Sequence, residues 1–112
     1  MITIYHKTTC SKSRTALQLL EEQNIPFEVR LYMQDKLNIK ELRALLKKLG
    51  MKPTGLLRRS EPLYKELYNE MLKEQDWLRL MVKHPVLIER PVVENGDRAI
   101  IARPPERVLE IL

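Results

Sequence analysis

A single helical segment lies between two strand-like segments at the start of the chain, and this arrangement limits the folds that are possible. The segment "ITIY" is β-branched and aromatic, as in a short buried strand, and "PFEVRLY" alternates apolar with polar residues, as in a second strand. Between them a helix is predicted from Ser11 or Ser13 to Glu22, and "NIP" at Asn24–Pro26 ends it. Strands joined through one helix run parallel, so helices have to cover the faces of their sheet.

The middle of the chain is predicted to be helical. In "NIKELRALLKKLG", Asn38 and Glu41 have the spacing of a capping box, and Gly50 stands where a helix commonly ends. The segment Thr54–Lys83 predicts two or three further helices, and Pro62 interrupts or kinks the first of them.

Strand-like segments return in the C-terminal third. "PVLI", "RPVV" and "RAII" are read as strands, and Glu94–Asp97 between the last two contains the Asn-Gly pair that favours a tight hairpin turn. "PPERVLEIL" ends the sequence as a helix that begins at proline. The element order predicts one α/β domain over residues 1–112. It is a thioredoxin-like, mixed four-stranded sheet, with a helical insertion between a β-α-β half and a C-terminal hairpin-helix half.

The composition excludes several classes of protein. The chain has 112 residues, and no apolar run approaches the roughly 18 residues of a membrane span. The net charge is +5, but acidic residues are mixed among the basic ones, as on an ordinary solvated surface. The N-terminus lacks the pattern of a signal peptide. We therefore expect a cytoplasmic protein that binds neither nucleic acid nor membrane.

Cys10 is the only cysteine, and it lies where the first predicted helix begins. The unpaired N–H groups and the positive dipole end of a helix's first turn stabilise a thiolate. Nearby side chains that carry positive charge or a hydroxyl group are those of His6, Lys7, Lys12, Arg14, Ser11 and Ser13. The alternative is an inert buried cysteine, but the polar neighbours favour a reactive nucleophile. His6 either caps the end of the strand or biases Cys10 towards the thiolate.

A single thiol also limits the mechanism. Once Cys10 is oxidised or joined to another thiol, no second cysteine in the chain can resolve it, so an external thiol has to complete any turnover. With no Cys-x-x-Cys pair and two isolated histidines, the sequence predicts no metal site.

Four ordered segments resemble a known family of bacterial enzymes. The segments are "ITIYH" with Cys10–Arg14, then "LLRR", "HPVLIERPVV" and "ARPPERVLEIL", and the likeness extends over Ile2–Leu112. They resemble the glutaredoxin-coupled arsenate reductases of the thioredoxin-like class and their close bacterial relatives. The sequence stops at Leu112, without the longer C-terminal tail of some arsenate reductases, which makes it similar to a shorter bacterial branch.

The resemblance implies a role for each matching residue. Cys10 corresponds to the nucleophile that attacks arsenic, and Pro91 to the family's cis-proline facing it. Three arginines surround the bound oxyanion in this family, and their counterparts are Arg58, Arg90 and Arg103. The adjacent Arg59 is the alternative for the role of Arg58, but the resemblance favours Arg58.

The resemblance also implies a reaction. Cys10 attacks arsenate to give a thioarsenate ester, glutathione forms a mixed disulfide and releases arsenite, and glutaredoxin resolves that disulfide. Glutathione is then a co-substrate, and no cofactor is bound. Arginines suit this substrate because their planar fork donates paired hydrogen bonds to a tetrahedral oxyanion and offsets its repulsion from a thiolate.

Two alternatives remain open. The loop has Lys7 and Thr8 after His6, where the family usually has Asn-Pro, so the substrate could instead be a mixed disulfide. In such a glutathione-dependent thiol-disulfide reductase the arginines would bind glutathione's carboxylates. The other alternative is an Spx-like regulator that binds RNA polymerase. Those regulators typically carry a Cys-x-x-Cys switch, whereas Ser13 occupies the second position here.

Overall fold

Four short strands form one mixed sheet. The structure is a computed structural model that describes residues 1–112. The strands are β1 (Ile2–Tyr5), β2 (Phe27–Arg30), β3 (Val92–Asn95) and β4 (Arg98–Ile101), and their order in the sheet is β2-β1-β3-β4. β1 and β2 are parallel, whereas the β1–β3 and β3–β4 pairs are antiparallel. The predicted fold class is therefore confirmed.

Four α-helices and four 3₁₀ helices connect and cover the strands. The α-helices are α1 (Ser11–Glu22), α2 (Ile39–Leu49), α3 (Pro62–Leu67) and α4 (Glu74–Lys83). The 3₁₀ helices are Pro53–Leu56, Tyr68–Glu70, Pro85–Leu87 and Pro105–Ile111. Between Thr54 and Lys83 the chain thus forms two α-helices, as predicted, but Pro62 begins α3 and does not interrupt or kink a helix. Every helix falls short of the length and apolarity that crossing a membrane requires.

Alternation along β1 divides the core into two layers. Ile2 and Ile4 face α1 and the C-terminal 3₁₀ helix, where they pack with Leu20 and Val108. Tyr5 points to the opposite face, into the larger core that α2 and α4 cover. Buried residues of that larger core include Leu42, Leu45, Leu46, Trp77, Met81 and Val92. Apolar packing on both faces holds the carboxyl end of β1, and hence the start of the cysteine loop, in a fixed position.

Local signals in the sequence set the ends of α2 and the hairpin. Asn38 Oδ1 accepts the backbone N–H of Glu41 at 2.8 Å, and Glu41 Oε1 accepts the N–H of Asn38 at 3.0 Å, so the predicted capping box is confirmed. Gly50 ends the helix at φ +67°, a left-handed conformation that favours glycine. The hairpin turns between β3 and β4 at Gly96, which has φ +63°.

Two strand predictions and one helix prediction need correction. "PVLI" is not a strand, because the N–H groups of Leu87 and Ile88 bond back to His84 and Pro85 in a 3₁₀ turn. Ile88 forms only an isolated antiparallel bridge, with Leu57. "PFEVRLY" is a strand only as far as Arg30. The C-terminal helix is of the 3₁₀ type throughout Pro105–Ile111, not α.

The isolated bridge has a consequence for the site. Arg58 N–H donates to the carbonyl of Leu87 at 2.8 Å, and Glu89 N–H donates to the carbonyl of Leu56 at 2.8 Å. These two bonds hold the "LLRR" segment directly against the segment that leads to Arg90. Residues far apart in the sequence are thereby brought together next to β3.

We expect Asn38→Ala to lower the free energy of unfolding by about 1 kcal/mol, because it removes the side-chain acceptor of the capping box. Urea unfolding followed by circular dichroism measures this. Asn69→Ala is the matched control, since Asn69 is exposed and its side chain makes no hydrogen bond, and its effect stays within about 0.5 kcal/mol. Equal losses in the two variants would show that the box does not stabilise α2.

Candidate functional site

The thiol lies at the N-terminal end of α1. Cys10 is the N-cap residue, with an extended backbone (φ −94°, ψ 119°), and its carbonyl accepts the first helical N–H, from Arg14, at 3.0 Å. Its own N–H donates to the carbonyl of Lys7 at 3.0 Å, which closes the loop between β1 and α1. The side chain is partly exposed. The thiol is therefore both oriented by the fold and accessible to a reactant.

The surroundings of Cys10 favour the thiolate. Burial raises the pKa of the thiol, but the backbone N–H of Ser13, the guanidinium of Arg90 and the backbone N–H of Lys12 outweigh it, so the net pKa is lowered. The helix contributes two of these groups, as its N-terminal position predicts. Arg90 comes from the other half of the chain and supplies the positive charge.

His6 and Ser13 form a buried hydrogen-bonded pair that holds the loop between β1 and α1. Both are buried, and His6 Nδ1 lies 2.5 Å from Ser13 Oγ, which also accepts the N–H of Lys7 at 3.1 Å. Burial and the charge of Arg14 lower the pKa of His6, so its ring is neutral near pH 7. His6 therefore brings no positive charge to Cys10, and the Ser13 hydroxyl is bonded elsewhere. Ser13 faces the sulfur with its backbone N–H instead.

Two side-chain hydrogen bonds stabilise the loop between β1 and α1, whose sequence departs from the family pattern. Arg14 Nη1 donates to the carbonyl of Thr8 at 3.0 Å, and Lys7 Nζ donates to Thr9 Oγ1 at 2.7 Å. Arg14 thus holds the loop in place.

Arg90 is the most unusual residue of the site. It is 7% exposed, and the peptide bond that joins it to Pro91 is cis. Its Nη1 makes one long hydrogen bond, 3.4 Å, to the carbonyl of Val86, whereas its buried Nε has no hydrogen-bond partner. Buried guanidinium N–H groups are normally paired. The guanidinium that lowers the pKa of Cys10 therefore also carries a buried N–H donor without a partner in the protein.

The other two arginines of the resemblance meet Arg90 around one carboxylate. Arg58 Nη1 donates to Glu89 Oε1 at 2.9 Å, and Arg103 Nη1 lies 3.7 Å from the same oxygen. The backbone N–H of Arg90 also donates to Glu89 Oε1, at 3.2 Å. Arg103 Nη1 donates to the backbone carbonyl of Arg90 at 2.8 Å. The structure therefore brings Arg58, Arg90 and Arg103 together.

Glu89 is a site residue that the sequence analysis missed. It is partly buried between cations, and it ties Arg58 and Arg103 to the segment that carries Arg90. Its place directly before Arg90 in "IERPVV" was the only signal in the sequence, and that position alone does not predict its partners.

Arg59 points away from this cluster. Its Nη2 donates to the carbonyl of Thr54 at 3.3 Å, and its guanidinium lies over the ring of Tyr64, 5.8 Å from the centroid. Arg58, and not Arg59, therefore lies in the cluster around Glu89.

Two cavities lie near the carboxyl ends of β1 and β2. The smaller, of about 210 Å³, borders the cysteine loop and is lined by His6, Lys7, Thr8, Thr9, Met33 and Gln34. The larger, of about 450 Å³, lies over the sheet, and Cys10 lines neither cavity. Four of its five charged lining residues are paired, because Arg30 binds Asp35 and Glu41, and Glu94 binds Lys48 outside the cavity. We therefore place the chemistry at Cys10 and not in the larger cavity.

Fold and site together define a thioredoxin-like protein with one activated thiol beside an arginine cluster. The ArsC family matches residues 5–111, and the chain belongs to that family. An arsenate reductase of Haemophilus influenzae is 44% identical, over 99% of this chain and 98% of its own length. The uncharacterized protein YfgD of Escherichia coli is 46% identical, over 99% of this chain and 96% of its own. The solved structure of an arsenate reductase from Vibrio cholerae has a TM-score of 0.93 at 42% identity, covering 99% of this chain and 97% of that one.

We expect Arg90→Met to slow alkylation of Cys10 at pH 7 by about threefold to tenfold, because a charged donor to the thiolate is lost. The pH profile of iodoacetamide labelling shifts upwards, and the limiting rate at high pH stays the same. Arg79→Met removes an exposed cation on α4 and serves as the control, with an unchanged profile. A profile that does not move in Arg90→Met would contradict the role of this guanidinium.

Proposed function

We propose that this protein reduces arsenate to arsenite, with Cys10 as the nucleophile. The observation that carries the proposal is the buried, unpaired Nε of Arg90 beside a thiol whose pKa is lowered. A thiolate next to an unsatisfied cationic donor is suited to attack on a bound oxyanion. The relatives from Haemophilus influenzae and Vibrio cholerae that are named arsenate reductases support the same substrate.

The first step joins sulfur to arsenic. The Cys10 thiolate attacks the arsenic of the hydrogen arsenate dianion, an As–O bond breaks, and the departing oxygen leaves as water after protonation. Arg90 Nε and the N–H groups at the start of α1 hold the equatorial oxygens and offset the repulsion between the two anions. The product is a thioarsenate ester on Cys10.

External thiols complete the cycle. The glutathione thiolate attacks the sulfur of Cys10, and the S–As bond breaks with its electron pair on arsenic, which is reduced from As(V) to As(III) and leaves as arsenite. Cys10 is then joined to glutathione in a mixed disulfide. A glutaredoxin thiolate attacks the glutathione sulfur and releases the Cys10 thiolate. An external thiol is required because the chain has no second cysteine.

Glu89 keeps the outer arginines in position for this chemistry. Its carboxylate accepts a hydrogen bond from Arg58 Nη1 and lies near Arg103 Nη1, and Glu61 Oε2 lies 3.8 Å from Arg58 Nε, which leaves the Nη2 groups of both arginines for the substrate. It also balances part of the positive charge of Arg58 and Arg103. The network therefore holds the guanidinium groups before an oxyanion arrives.

A second candidate is the reduction of glutathione mixed disulfides, which the cavity of about 210 Å³ beside the loop favours. Five of its six lining residues are polar, which suits the charged and amide groups of a tripeptide thiol. Rates with arsenate and with a glutathionylated peptide, each measured alone and in competition, separate the two functions. Turnover of the peptide alone would support the second candidate.

We expect arsenate-dependent consumption of NADPH, in the presence of glutathione, glutaredoxin and glutathione reductase, to disappear in Cys10→Ser. Serine cannot form the ester or the mixed disulfide at neutral pH. Omission of glutaredoxin abolishes turnover by the wild-type protein as well. Arsenate reduction by Cys10→Ser at the wild-type rate would refute the proposal.

We expect Arg58→Lys to lower kcat/KM for arsenate by about tenfold or more, since lysine cannot reproduce a fork shared between Glu89 and an oxyanion. The adjacent Arg59→Lys is the matched control, because Arg59 contacts Thr54 and Tyr64 instead. Steady-state kinetics in the coupled assay measure both. Equal losses in the two variants would contradict the assignment.

A further inference from the structure

Only two buried side-chain polar atoms in the protein have no hydrogen-bond partner: Arg90 Nε and the hydroxyl oxygen of Tyr32. Tyr32 is 1% exposed. An unpaired buried hydroxyl destabilises a fold, and native proteins rarely retain one without a reason. Arg90 Nε belongs to the candidate site, so the Tyr32 hydroxyl is the one unpaired buried group that still lacks a role.

The backbone brings Tyr32 to the same end of the sheet as Cys10. It follows β2 by two residues, and the carbonyl of Arg30 at the end of β2 accepts the N–H of His6, the first residue after β1, at 2.9 Å. The segment after β2 therefore leaves the sheet beside the cysteine loop. The Tyr32 side chain is part of the core that also contains Leu57 and Ile88, which lie next to Arg58 and Glu89 in sequence.

The charged groups that act on the Tyr32 phenol are those of the site. Burial raises its pKa, and the charges of Arg90, Cys10, Arg58 and Glu89 act on it as well. The phenol is therefore protonated at every pH at which the thiol works. A protonated phenol is a neutral donor of one hydrogen bond.

We propose that the hydroxyl of Tyr32 donates a hydrogen bond to the oxyanion that binds between Cys10 and Arg90. The two unpaired donors, Tyr32 Oη and Arg90 Nε, then share one ligand. This inference rests on the proposed function, because it requires an oxyanion beside the thiol. It explains why both groups remain unpaired within the protein. A neutral donor also adds to oxyanion binding without further cationic charge near Cys10.

The test is protection of Cys10 against iodoacetamide by sodium arsenate, measured in the wild-type protein and in Tyr32→Phe. We expect the arsenate concentration for half-protection to rise about tenfold or more in the variant, as for loss of a donor to a charged acceptor. Without arsenate, the pH profile of labelling stays unchanged. The melting temperature of Tyr32→Phe is equal to or above that of the wild type, because the hydroxyl removed has no partner in the protein.

Tyr5→Phe is the matched control. Tyr5 is also buried in the larger core, but its hydroxyl donates to Glu94 Oε1 at 2.5 Å. We expect this variant to melt at a lower temperature and to keep the wild-type protection by arsenate. The pair of variants separates loss of a hydroxyl in general from loss of a donor at the site.

Three results would overturn the inference. Equal protection of the wild type and Tyr32→Phe would exclude contact with the oxyanion and leave the proposed function intact. An upward shift of the labelling profile in Tyr32→Phe without arsenate would show that the phenol serves the thiolate instead. Absence of protection in the wild type would contradict the proposed function together with this inference.

Discussion

The antiparallel pairing of β1 with β3 is the constraint on which the site depends. It places Tyr5, the last residue of β1, opposite Val92, the first residue of β3. The loop that leaves β1 carries Cys10, and the segment that enters β3 carries Arg90 and Pro91, so the two meet at one edge of the sheet. A shift of one residue in this register would turn every side chain of β3 to the other face and move Arg90 away from the thiol. The packing of both core layers against β1 and β3 thus fixes the position of Cys10 relative to Arg90.

The site concentrates the energetically unfavourable features of the fold. Arg90 Nε and the Tyr32 hydroxyl are buried without partners, at a cost of about 1–3 kcal/mol each. Both features favour a ligand that accepts hydrogen bonds, and both would be satisfied by an oxyanion. The positive charge of the arginines is balanced in part by the thiolate, which the lowered pKa of Cys10 favours, and by the carboxylate of Glu89. Polar groups elsewhere in the core are paired, which shows that the unpaired groups are confined to the region around the thiol.

Features set by near neighbours in sequence were predictable. The capping box at Asn38, the turn at Gly96 and the position of Cys10 at the start of α1 each depend on a few adjacent residues. Features set by distant partners were not. "PVLI" has the composition of a strand, but it has only the single bridge from Ile88 to Leu57, so it closes on itself as a 3₁₀ turn. Glu89 and Tyr32 were missed for the same reason, since their neighbours at the site come from other segments of the chain.

The central claim is that Cys10 forms its bond to arsenic before glutathione reaches the sulfur. Intact-protein mass spectrometry tests this claim most directly, with reduced glutathione present, glutaredoxin absent and oxygen excluded. We predict that one glutathione per chain accumulates on Cys10 only when arsenate is added, with one arsenite released for each adduct. Glutathione adducts that form to the same extent without arsenate, or arsenite released without any adduct on Cys10, would contradict the account.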